Sequence, residues 1–426
     1  MVTLHALLTV LMLSTLSQAI PLIRRSTVLP SNDAFYHVPD NITSYSPRAI
    51  INYRKPPAPI AAFAKYPINL QNSWQILYRT TDSLNNATAT VLTVLVPYNA
   101  DFSKVLSYQI AEDAASPNLP LPRKLRPSAA LEQHWVLIVP DHEGPAAAYL
   151  ANHLAGYSTL DGIRAGLSSG NITGMKSDAT VAMWGYSGGS LASGWAAELQ
   201  PLYAPELKIA GAAIGGTVPN ISNVISSVDG STSAGLVPTG VMGLANQYPL
   251  VKAIVEQHVL PQYLDAFANT TKQCLEEDLS DFSDKNVSSM LDSPDLFTNT
   301  AMMNVFSANA LGSNIPQIPL YIYKAVQDEL SPIADTDKMY GQYCAGGAIV
   351  KYERDLVFNH GTLSAVGAPK ALTWLIQVFD GTATQKSCTK ETIISSLLDP
   401  VVLGVLPEFI FEDLLDLLGK EVGTSL

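Results

Sequence analysis

The chain has 426 residues, a formal net charge of −12 and an isoelectric point near 5.0. That acidity speaks against nucleic acid and strongly anionic membranes as partners held by charge. Only 15% of the residues are charged and 47% are hydrophobic, a balance that suits a greasy site, and the length exceeds what one ordinary core needs.

Residues 4–16 are mostly apolar, and Ser17-Gln18-Ala19 then offers small residues where a signal peptidase reads them. This predicts a secretory signal over residues 1–19 and an extracellular protein; the run is short for a membrane span. Arg24-Arg25 suits dibasic processing, which makes residues 20–25 a propeptide and 26–216 the first part of the core. Up to residue 70 the chain is rich in proline, including Pro30, Pro39, Pro47, Pro56, Pro57 and Pro59, and reads as a surface arm. Apolar runs at 89–96, 105–111, 135–141, 180–187, 208–215 and 320–328 then read as strands, several of them buried on both faces. Helical patterns at 144–155 and 361–379 alternate with them. The expectation is an α/β fold with a mostly parallel central sheet flanked by helices. Residues 217–308 hold helical patterns (239–248, 250–268, 295–309) and no buried strand, which predicts an inserted helical cap or lid. Residues 309–390 return to the core, and 391–426 read as a docked tail or flap.

Gly185-Tyr186-Ser187-Gly188-Gly189 lies between the strand pattern 180–184 and a helical run from Ser190. A G-x-S-x-G sequence in that context predicts a sharp turn that holds the Ser187 hydroxyl above the sheet, with the Gly188 amide aimed at a developing oxyanion. A serine nucleophile needs a base and an orienting acid, in the chain order Ser, acid, His. His360, in Phe358-Asn359-His360-Gly361, is the one histidine after Ser187 outside the insertion. Asp328 ends a strand pattern and is the expected acid, with Glu329, Asp335 and Asp337 as rivals. A second oxyanion donor should follow the third strand, where Glu112-Asp113 lies; Asp113 could donate, or the pair could be a solvated acidic turn. Asp141-His142-Glu143 reads as a strand-end turn rather than a metal site. Three cysteines predict one disulfide, Cys344–Cys388, which would staple the histidine loop, and one thiol, Cys274. Sequons at Asn41, Asn86, Asn171, Asn220, Asn269 and Asn286 agree with export. No spacing calls for a metal or cofactor.

The chain resembles the fungal secretory lipases, the lipase A-like α/β-hydrolases. The residues that carry the likeness are Ser107-Tyr108-Gln109 through Glu112-Asp113, Val139-Pro140-Asp141 through Gly144-Pro145, and Leu160-Asp161-Gly162-Ile163-Arg164-Ala165. The elbow around Ser187, Gln327-Asp328-Glu329 and Asn359-His360-Gly361 complete the set in the family's order. The resemblance implies cofactor-free hydrolysis of acyl esters beneath a helical lid, with Asp113 and Gly188 as the oxyanion pair. It also implies two disulfides, yet Ala114–Asn118 holds no cysteine to pair with Cys274, which predicts a less tightly tethered cap. The expectation is a secreted, monomeric triacylglycerol lipase meeting a lipid or ester at an oil–water interface. A carboxylesterase for small acetylated or secondary-metabolite esters is the alternative, and a non-catalytic hydrolase-like binding protein is the rival from another class.

Overall fold

Strands that are apolar on both faces can be buried only between two helical layers. The computed structural model describes residues 28–62, 66–118, 128–293, 295–402 and 422–423. The expected signal and propeptide and most of the C-terminal tail lie outside them. Ten strands form one sheet: β1 (Ile50–Arg54), β2 (Asn72–Thr81), β3 (Ala87–Val96), β4 (Asp101–Gln109), β5 (Trp135–Pro140), β6 (Thr180–Tyr186), β7 (Ile209–Gly215), β8 (Leu320–Ala325), β9 (Val350–Asp355) and β10 (Thr389–Ile393). Their order is β1-β2-β3-β5-β4-β6-β7-β8-β9-β10. Pairings at the β1 edge are antiparallel as far as β3–β5; every pairing from β5–β4 onward is parallel.

Strand β6 shows how the sequence makes the layers. Val181 and Met183 point into one buried cluster, and Ala182 and Trp184 into another on the opposite face. Helices α1 (Asn152–Ser168) and α2 (Gly188–Tyr203) cover the first face, where Trp195 is 2% exposed. Burying such a side chain contributes on the order of 2–3 kcal/mol. Between β7 and β8 run helices α3 (Ile221–Val228), α4 (Leu236–Gln247), α5 (Pro249–His258), α6 (Leu264–Asn269), α7 (Leu275–Phe282) and α8 (Thr300–Ala308). They have an apolar cluster of their own, centred on Val241, Leu244, Phe267, Phe282 and Phe306. Helix α9 (Ile333–Ala345) follows β8. Helix α10 (His360–Val366) follows β9, and α11 (Ala368–Phe379) covers the second face.

The structure revises several expected elements. The helix expected over 144–155 starts only at Asn152, because Gly144, Ala147 and Leu150 all take positive φ and the chain coils through turns. The pattern over 361–379 is two helices, with the break at Gly367 and a proline in the first turn of α11. The pattern over 250–268 divides at Pro261 into α5, a 3-10 turn and α6. The N-terminal arm contributes β1, so it is not wholly irregular. Cys344 at the end of α9 is bonded to Cys388 just before β10. Cys274, by contrast, is buried at the N-terminus of α7, where its amide donates to Glu277 Oε2 (2.8 Å). Among the described residues no helix is long and apolar enough to cross a membrane.

Candidate active site

The strand order reverses direction between β4 and β6, and in open parallel sheets such a switch point leaves a crevice at the strand ends. The loop after β4 brings Asp113 to that crevice, and the turn after β6 brings Ser187. Ser187 has φ 55° and ψ −123°, a backbone that costs about 1–3 kcal/mol and persists only where its surroundings enforce it. Here the enforcement is close packing of backbone. A Cβ on Gly185 would lie 2.1 Å from Gly189 O, and one on Gly189 would lie 2.0 Å from Gln109 O. The Ser187 amide donates to Gly215 O (2.9 Å), which pins the turn to β7.

His360, half a sheet away in sequence, stands beside the serine. Its Nε2 is 2.8 Å from Ser187 Oγ and its Nδ1 is 2.7 Å from Asp328 Oδ2. A carboxylate only accepts, so Nδ1 carries the proton, and Nε2 is left with the lone pair that accepts from the Ser187 hydroxyl. Three further contacts orient the histidine loop. Asn359 caps α10 by accepting from Thr362 N. Tyr186 donates its hydroxyl to His360 O (2.6 Å), and the His360 amide donates to Glu329 Oε2 (2.8 Å). Glu329 was a rival acid, and its position gives it this supporting contact instead. The other rivals point elsewhere: Asp335 accepts from Asn223 Nδ2, and Asp337 pairs with Arg354.

The Asp328 side chain is fully buried and accepts four hydrogen bonds. Oδ1 takes the amides of Leu330 (3.0 Å) and Ser331 (2.8 Å), and Oδ2 takes His360 Nδ1 and Lys324 Nζ, both at 2.7 Å. Burial pushes its carboxyl up, but the bond from His360 and the charge of Lys324 outweigh that and hold it at about 2. Lys324 escaped the sequence reading, because a lysine in Leu320–Ala325 looks like an interruption of an apolar strand. Its adjacency to Asp328, four residues on, was the available clue.

The other wall of the crevice carries Asp113 at φ 49°. A Cβ on Gly188 would lie 1.9 Å from Asp113 Oδ1, so the carboxyl group sits directly over the first residue of α2. Helix-start amides have no partner within the helix and carry the positive end of its dipole. Tyr149 bonds to Asp113, and burial and that acid raise its hydroxyl well above its ordinary value. Helix α4 packs on Tyr149 at Gly243, and Asn246 donates to Ala115 O and Ala147 O.

Behind Asp113 lies a buried acidic group. Glu112 and Glu143 are pushed well above the usual carboxylate range, first by burial and then by neighbouring carboxylates. Burial also raises Asp141 to about 6 and lowers His142 to about 4. The run Asp141-His142-Glu143 alone does not converge, but Glu112 folds against it. Ligand-type atoms of Glu112, His142 and Glu143 lie within 4.8 Å of one another, so their spacing could admit a metal ion. A cavity of about 620 Å³ opens beside Glu112 and Glu143, walled by Val28, Ile60 and Leu275; Ser187, Asp328 and His360 do not line it. Five sequons stand exposed, while Asn220 is partly covered and caps α3.

The secretory lipase family model matches residues 125–387. Lipase A of Arthroderma benhamiae is 41% identical over 430 residues, covering 96% of this chain and 92% of that protein. Lipase 1 of Candida albicans is 38% identical over 426 residues, covering 93% and 91%. The X-ray structure of Candida antarctica lipase A in its closed state superposes with a TM-score of 0.81 at 28% identity, covering 91% of this chain and 95% of that one. The rice cell wall degrading esterase LipA from Xanthomonas oryzae shares the fold, at TM-score 0.56 and 14% identity. Near-full-length likeness to sequences of one kind, on a sheet whose switch point presents a strained serine, places the chain in the secretory lipase family, as an extracellular carboxylic ester hydrolase of the lipase type.

Proposed function

We propose that Ser187, His360 and Asp328 are the catalytic triad of a triacylglycerol lipase. The observation that carries this is the unbroken relay from Ser187 Oγ through His360 to Asp328, at 2.8 and 2.7 Å, on an elbow with positive φ. Ser187 Oγ attacks the ester carbonyl while His360 Nε2 takes its proton. Asp328 holds the imidazole in the tautomer that can accept and stabilises the cation formed. The tetrahedral oxyanion is held by the backbone amides near Gly188 and Asp113. His360 then returns the proton to the leaving alcohol, and water repeats the sequence on the acyl-enzyme.

We assign residues 217–308 as a cap whose helix α4 overlies the Asp113 loop through Tyr149 and Asn246. The apolar interior of that segment suits a body that moves as a unit to admit an ester chain. The sequons remain candidate glycan sites, and the substrate is a lipid presented at an interface.

The test is a series of p-nitrophenyl esters from acetate to palmitate, with wild type and Ser187→Ala in parallel. The expected result is a maximum at long chains and a fall in kcat on the order of 10⁵ or more in the mutant. A maximum at acetate, also lost in the mutant, would move the reading to a small-ester esterase. Equal rates in mutant and wild type would end the triad assignment.

A further inference from the structure

We propose that Lys324 is a positioning residue that sets the acidic edge of the activity profile: through Asp328 it opposes protonation of His360. The inference rests on the triad assignment made above.

Strand β8 is buried along its whole length, and Lys324 is 0% exposed within it. Its ammonium donates to Asp328 Oδ2 (2.7 Å) and to Thr217 O (2.8 Å). A buried ion pair is seldom more stabilising than an apolar side chain of the same volume. A methionine at 324 would keep the strand buried without desolvating a charge, so stability alone gives no reason for the lysine. The geometry supplies another. Asp328 Oδ2 is shared between Lys324 Nζ and His360 Nδ1, so one carboxylate oxygen serves two cationic groups whenever the imidazole is protonated. While Lys324 is protonated, its charge repels that second cation across the oxygen they share. Taking the lysine charge away would therefore make the imidazolium easier to form.

The other groups around this pair do not cancel the effect. Burial lowers the pKa of the Lys324 ammonium below the ordinary lysine value, and Asp328, Asp335 on α9 and Glu329 in the β8 loop act against that shift by favouring the charged form. Around His360 stand Asp328 on Nδ1, Ser187 on Nε2, the Tyr186 ring at 5.3 Å and the Glu329 carboxylate on its amide. Lys324 is the cation bonded to the acid of this relay.

The experiment is the pH profile of kcat/KM for wild type, Lys324→Met, Lys324→Gln and Lys324→Arg, on the most rapidly cleaved ester. Removing the charge should move the acidic limb up by about one pH unit in the Met and Gln variants, while Arg keeps the wild-type limb. Folded Met and Gln variants with an unmoved limb would overturn the proposal. So would ¹⁵N NMR of lysine-labelled wild type, which needs no variant, if Lys324 Nζ were a neutral amine across the pH range of the limb. Ser187→Ala, measured alongside, separates the two ideas. Activity surviving there removes the triad itself, whereas a dead Ser187→Ala with an unmoved limb in the folded Lys324 variants removes only the role of the lysine.

Discussion

Two groups of carboxylic acids lie on either side of the crevice, and their pKa values are shifted in opposite directions. On the β8 side, Asp328 has four donors, among them a lysine and a histidine, and burial fails to neutralise it. On the β4–β5 side, Glu112, Asp141 and Glu143 pack among one another, and none of the cations that lower Asp328 acts on them; burial raises all three, Asp141 to about 6, and neighbouring carboxylates raise Glu112 and Glu143 further. Burial is common to both, so it does not decide the charge of an acid. The partners placed around it do. The charged side faces the imidazole, where a cation forms during attack.

Replacing each acid by its amide breaks this comparison where it is strongest. Asp328→Asn should lower kcat about 10⁴-fold, because the amide can no longer fix the tautomer of His360. It also leaves Lys324 buried without its counter-ion, so chemical denaturation should show a loss of about 3–5 kcal/mol. Next in size is the oxyanion wall. Gly188→Ala would drive a methyl into Asp113 Oδ1, and kcat should fall on the order of 10²-fold with KM little changed, read from steady-state kinetics on one ester. Unaltered kcat in that variant would remove Asp113 and Gly188 from the oxyanion site.

The smallest effect is the sharpest test of the contrast. If Glu143 is already neutral, Glu143→Gln should change kcat by less than about threefold at pH 7. The difference should appear in stability against pH. Asp141, Glu112 and Glu143 bind protons more tightly folded than unfolded, so their contribution is complete below the unfolded value and is lost as pH rises, through about 6 for Asp141. His142, lowered from 6.5 to about 4, acts the other way and loses its contribution as pH falls through that window. Asp328 matters only below its unfolded value of 3.8. Burial also raises Asp278 (to about 6), Asp161, Glu198 and Glu353, and it lowers His153 as it does His142, so the raised carboxyls predominate and predict a Tm that rises as pH falls from 7.5 to 5, with a smaller rise in Glu143→Gln. A Tm that falls over that interval would contradict the assignment.

Much of this site was legible in the sequence because its chemistry depends on local geometry. The elbow needs glycines at fixed spacing, and Asp328 and His360 sit at strand ends where parallel sheets present side chains. The apolar strands β3, β6, β7 and β8 were legible for the same reason. What escaped depends on neighbours distant in the chain. β1, β2, β9 and β10 are edge or near-edge strands with polar residues facing outward, such as Arg54, Arg79 and Lys351, and they carry no continuous apolar run. Lys324 shows its purpose only when β8 and α10 meet, and Glu112 joins His142 and Glu143 only across the β4–β5 pairing. The expected helix over 144–155 failed because three positive-φ residues override its apolar spacing.

The relay joining Ser187 to His360 spans 173 residues of chain. A polypeptide made from its N-terminus exposes the serine long before the histidine and its acid exist. During that interval the half-made chain has the Ser187 hydroxyl and lacks the base that the proposed triad assigns to it. On the triad proposed above, activity would arrive only once the last third of the molecule has folded back onto the middle third, a form of self-protection that requires no inhibitor.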